Sequence, residues 1–122
     1  MVETVFARQW DRLMELSRLG AIPGDGVNRA CLTELDAQAR RLVIGWARDC
    51  GAEASVDAAG NLFLRRAGSD PDAAPVLTGS HLDIQPQGGR FDGAYGVVAG
   101  IEVLAALHDA GVVTRRSVEV VA

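Results

Sequence analysis

The chain has 122 residues, the size of one small domain, and 48% of them are hydrophobic, enough for a core. Twelve basic residues against sixteen acidic ones give a formal charge of −4, with no basic run, which argues against nucleic acid or an anionic membrane as the main partner. No apolar run approaches the roughly 18–20 residues that cross a bilayer, residues 1–8 lack a basic-then-apolar leader pattern, and Cys31 and Cys50 form no CxxC pair, so a reducing, cytoplasmic setting is expected.

Phe6, Trp10, Leu13, Met14 and Ser17 recur at helical spacing and predict a first helix over about 3–19, ended by Gly20. Residues 20–32 hold Gly20, Pro23, Gly24 and Gly26 and read as a loop. Thr33 stands three residues before Asp36, a capping box with Asp in place of the usual Glu. Leu35, Ala39, Leu42, Val43, Trp46 and Cys50 line one face of this second helix, so Cys50 is expected to be buried, and Gly51 ends the helix. Two short strands near 53–57 and 61–66 flank Ala58-Ala59-Gly60 as a hairpin, with Asn61 read as turn chemistry. Residues 67–74 form a surface turn, and Val76–Ser80 is a short strand running into His81.

After Gly93, the positions Val97, Val98, Ile101, Leu104, Ala105 and His108 trace a third helix that closes at Gly111. His108 falls near its C-terminus, where the helix dipole favours it. Val118 and Val120 alternate with Glu119 in a last strand. The order is helix, helix, hairpin, strand, helix, strand. Its last three elements form a βαβ unit with a parallel strand pair and a right-handed crossover.

The chemistry concentrates between Gly79 and Gly93. In open α/β sheets ligands gather at the carboxyl ends of strands, and His81 stands at such an end. Asp83 lies two residues on, so in an extended segment the two side chains share a side. A carboxylate that accepts from one ring nitrogen leaves the other free for a metal. Gly88-Gly89 lets the segment fold back and bring Asp92 towards His81. Simpler readings compete: a lone His-x-Asp is common, Asp92 is a natural N-cap for the third helix, and Arg90 fits either a solvated loop or a substrate contact.

Three stretches, Gly79-Ser80-His81-Leu82-Asp83, Gln85-Pro86 through Gly88-Gly89-Arg90-Phe91-Asp92-Gly93-Ala94, and Ala99-Gly100 through Glu102-Val103-Leu104, together resemble the amidase/hydantoinase-carbamoylase branch of the M20 metallopeptidase-like family. Val56-Asp57-Ala58-Ala59-Gly60-Asn61-Leu62 is similar to the segment that precedes the metal loop there. That branch includes N-carbamoyl-L-amino acid hydrolases, β-ureidopropionases and allantoate amidohydrolases. The resemblance implies an α/β fold, with residues 1–122 as the N-terminal segment of a zinc-peptidase-like catalytic domain whose three-layer architecture is incomplete and whose lid or dimerisation domain is absent.

The resemblance also implies roles. His81 would bind one metal, Asp83 would orient His81, and Asp92 would bridge two divalent ions (zinc, manganese, cobalt or nickel). The Asp92–Gly93 peptide becomes a candidate for the cis form. The implied reaction is hydrolysis of non-peptide C–N bonds in small linear ureido compounds, N-carbamoyl-L-amino acids or ureidopropionate, by an enzyme expected to be a homodimer when complete. The family's glutamate pair, one member the general base, and two further histidine ligands are expected after Ala122. The 122-residue chain alone is therefore expected to bind metal poorly and to be inactive. Ile84 departs from the threonine common at that place. Allantoate hydrolysis, an M20-type exopeptidase and a non-catalytic interaction module are the alternatives.

Overall fold

Helix α1 (Phe6–Ser17) opens the fold in the computed structural model, which describes all 122 residues. It is shorter than the predicted 3–19, because Val5 at its N-cap offers no capping side chain. Leu13 and Leu16 enter the core, whereas Phe6 and Trp10, on the same apolar stripe, stay exposed with their rings stacked 6.1 Å apart.

The segment 20–32, predicted as a loop, contains two strands. β1 (Ala21–Ile22) and β2 (Gly26–Arg29) pair antiparallel. Four strands follow before the third helix: β3 (Glu53–Val56), β4 (Leu62–Arg66), β5 (Val76–Gly79) and β6 (Ile84–Gly89). β6 lies inside the predicted metal loop and pairs antiparallel with β2, giving a small sheet of order β1-β2-β6. β1 is only two residues long, and β2 and β6 are held by each other across a long stretch of sequence, which local propensity does not register.

Helix α2 (Glu34–Asp49) starts as expected, with the Thr33 hydroxyl accepting from the Asp36 N–H at 3.3 Å. The reciprocal bond differs from the usual box: the Asp36 carboxylate accepts from Leu32 N at 3.1 Å, one residue earlier. Cys50 is buried, as its place on the apolar face requires. The β3–β4 turn is closed by the Asp57 carboxylate, which accepts from Ala59 N, Asn61 N and Asn61 Nδ2, so Asn61 does serve the turn.

The main sheet has the order β3-β4-β7-β5, with β7 (Val118–Val121) parallel to β5 and antiparallel to β4. The expected βαβ unit is therefore present, and helix α3 (Ala94–Asp109) is its crossover. Leu62, Leu64, Val118 and Val120 join Val97, Val98, Ile101 and Leu104 of α3 and Ala39 and Val43 of α2 in one core. The alternating residues Arg65, Glu119 and Leu77 align across the sheet, and an Arg65–Glu119 ion pair of 3.0 Å crosses that row. No helix of the chain is long and apolar enough to cross a membrane.

α1 is clamped to α3 through Glu102, a buried carboxylate. It accepts from Val5 N, Arg8 Nε and Arg8 Nη2, each at 2.7 Å, with Arg12 Nη1 at 3.6 Å. Burial alone would push its carboxyl up. The Arg8 and Val5 hydrogen bonds and the charges of Arg8 and Arg12 outweigh burial and hold it below the ordinary range.

Candidate metal-binding site

Three glycines of the α3 segment create the site. A Cβ at Gly100 would meet the Val120 methyls at 2.9 Å, one at Gly96 would meet Ser80 Cβ at 2.7 Å, and one at Gly93 would collide with the His81 ring. Their spacing puts them on one side of the helix, so α3 lies close against β5, β7 and the chain leaving β5. Gly93 is also at φ +68°, a backbone state that side chains disfavour. The imidazole therefore packs on bare backbone at the start of α3, beside Asp92.

The His81 ring is held from one side and open on the other. Nδ1 is 2.8 Å from the main-chain oxygen of Asp83 and 3.4 Å from its carboxylate Oδ1. A carbonyl only accepts, so Nδ1 carries the proton and Nε2 presents its lone pair. Nε2 faces Asp92 Oδ1 at 4.0 Å. Sequence reasoning placed the Asp83 carboxylate on the ring; the nearer contact is the Asp83 carbonyl, and the carboxylate stands behind it. Asp92 does not cap α3: the N-cap is Gly93 and no side chain caps that end. No peptide bond is cis, so the Asp92–Gly93 bond is trans.

His81 Nε2 and Asp92 Oδ1 suit two donors of one cation. With bonds of about 2.0–2.2 Å to nitrogen and oxygen, two ligands of one ion can lie up to about 4 Å apart. Both side chains are about half exposed, 50% and 57%, and so accessible to a ligand. Asp83 is on the Nδ1 side of the ring, so the three residues do not converge as a three-ligand group. Two such donors fall short of the roughly four ligands that enclose zinc.

Neighbouring residues take structural places. The Arg90 guanidinium pairs with the Asp25 carboxylate and donates to Asp25 O at 3.2 Å, tying the end of β6 to the β1–β2 turn. Ile84 is buried and packs against Gly88. Arg29 was missed altogether. It is fully buried, donates to Leu82 O at 2.9 Å, and lay in a segment read as loop, where nothing distinguishes one arginine from a solvated one.

The fold defined here is an α/β sheet covered by helices on its α3 face, with a histidine and a carboxylate meeting at the carboxyl end of β5. No family model matches the chain. It is 45% identical over 113 residues to an N-carbamoyl-L-amino-acid amidohydrolase of Rhizobium meliloti, a match covering 93% of this chain and 27% of that one. It is 35% identical to a ureidoglycolate hydrolase of Arabidopsis thaliana, over 91% of this chain and 23% of that one. A crystal structure of a hydantoinase/carbamoylase family amidase from Burkholderia ambifaria superposes with a TM-score of 0.96 at 55% identity, covering 99% of this chain and 30% of that one. Over nearly its whole length the chain is homologous to the N-terminal part of hydantoinase/carbamoylase family amidases. It spans about a quarter to a third of the length of these relatives.

Proposed function

We propose that this chain forms one wall of the active site of a metal-dependent amidohydrolase that cleaves the non-peptide C–N bond of linear ureido compounds, N-carbamoyl-L-amino acids first among them. The observation that carries this reading is the approach of His81 Nε2 to Asp92 Oδ1, 4.0 Å apart, with the other ring nitrogen already occupied. His81 would ligate through Nε2, Asp92 would ligate through its carboxylate and bridge two ions, and Asp83 would fix the His81 tautomer. Divalent ions held there would supply Lewis-acid polarisation of the ureido carbonyl and activation of water. The products would be ammonia, carbon dioxide and the free amino compound.

On this reading the 122-residue chain by itself, with two donors where several per ion are needed, would not turn over. The complete enzyme is read as cytoplasmic and homodimeric. Ureidoglycolate is a second substrate reading, favoured by the plant relative.

A chimera tests this. The chain replaces the matching segment of the Burkholderia ambifaria amidase, and metal content and hydrolysis are measured over carbamoyl amino acids, ureidopropionate, ureidoglycolate, allantoate and dipeptides. Carbamoyl amino acids are the expected best substrates. His81→Ala and Asp92→Ala should each lower metal retention by more than the about 10–100-fold that loss of a ligand's supporting partner costs. Unchanged metal content in both variants would remove the site assignment. Ureido hydrolysis by the 122-residue chain alone would contradict the two-donor argument.

A further inference from the structure

We propose that Arg29 is the positioning residue that sets the tautomer and direction of the His81 ring. This rests on the reading of His81 as a ligand and adds a residue to it. The Arg29 side chain has no exposed surface. Nε donates to Leu82 O at 2.9 Å, and Nη1 donates to Leu16 O at 3.0 Å and Leu19 O at 2.8 Å. Leu82 is the residue between His81 and Asp83, and the Asp83 carbonyl is the acceptor for His81 Nδ1. The path is continuous: guanidinium, Leu82 carbonyl, the peptide joining Leu82 to Asp83, Asp83 carbonyl, imidazole. Gripping one carbonyl fixes the plane of its peptide, and that plane helps direct the next carbonyl at Nδ1.

Stability alone is a poor reason for an arginine here. Burial pushes the guanidinium pKa down, opposed by the charges of Asp36 and Asp83, and Nη2 is buried with no hydrogen-bond partner. Apolar side chains of similar volume often replace buried charges without loss of stability. An apolar side chain could not hold three carbonyls in fixed directions. Two of these, Leu16 O in the last turn of α1 and Leu19 O just beyond it, place a cation at the negative end of the helix dipole. The third reaches the site. An arginine serving only α1 would not need it.

The test separates the third bond from the other two. In a semisynthetic chain, replacing Asp83 by its α-hydroxy acid turns the Leu82 carbonyl into an ester, a weaker acceptor, and leaves Arg29 and its bonds to α1 in place. The readout is the ¹⁵N shift pair of the His81 ring at about pH 8.5, above the ordinary histidine pKa. The chain has only two histidines, so His81→Ala assigns the signals. The parent should show the proton on Nδ1. The ester should shift the ring several-fold towards the Nε2–H form, with an unchanged circular dichroism spectrum, and Arg29→Met should do the same where it folds. A folded ester variant with the parent's tautomer ratio overturns the proposal, as does a parent with Nδ1 unprotonated. Failure of the ligand reading would appear elsewhere, as undiminished metal in the His81→Ala chimera.

Discussion

Asp92 and Glu102 belong to the same α3 segment and differ in what their oxygens meet. Glu102 is buried and accepts three charged or main-chain hydrogen bonds from Val5 and Arg8, with Arg12 beside it. Asp92 is 57% exposed, and the only ionisable partner its carboxylate faces is His81. The difference separates two uses of a carboxylate. One committed to folding is saturated by donors that came from elsewhere in the chain. One available to a ligand keeps its oxygens free and faces another donor atom at ligand spacing. Charge and sequence position alone do not distinguish them.

The largest effect should come from Glu102→Ala, which strands Arg8 and Arg12 against α3. Removing one partner of a buried pair costs about 3–5 kcal/mol, and Asp92→Ala should stay within about 0.5 kcal/mol, as surface changes do. Urea unfolding of both variants checks this, and equal losses would break the contrast. Gly93→Ala should come next, at about 1–3 kcal/mol for a side chain forced into a sparsely populated backbone state. It should also push the His81 ring off the Asp83 carbonyl, visible in its ¹⁵N shifts. A variant as stable as the parent with the ring in place would mean that the helix can shift away.

The smallest effect is with pH. Glu102 is held below the ordinary carboxylate range. Its contribution is therefore fully present above the unfolded pKa of about 4.3 and is lost as pH falls through the lower folded value. The stability of the parent should decline in that acid window. Glu102→Gln, less stable overall, should show a shallower decline there.

How much of this was legible depended on where each residue's partner lies. α2 and α3 were readable because Thr33, Gly51 and the apolar spacing from Val97 to Leu104 act within a turn or two. β2 and β6 were not, since Gly26 and Val27 pair on one side with the two-residue β1 and on the other with Gly89 and Gly88, far along the sequence. His81 and Asp92 were visible as ligand-type residues on a glycine-rich turn. That the Asp83 carbonyl, nearer than its carboxylate, meets the ring was not, because a main-chain atom leaves no mark in a residue pattern. Phe6 and Trp10 fit the helical stripe as well as Leu13 does, but periodicity does not say how far along α1 the core extends.

β5 pairs only with β7, and all four of its residues are exposed. The histidine thus follows directly on an edge strand, while Asp92 directly precedes α3, the helix that contributes Val97, Val98, Ile101 and Leu104 to the core. A ligand shared by the two would act as a cross-link, closing residues 81–92 into a ring. Its binding energy would be spent partly on the chain entropy of that segment, and the gain in order would fall on the β5 side, the less constrained of its two anchors.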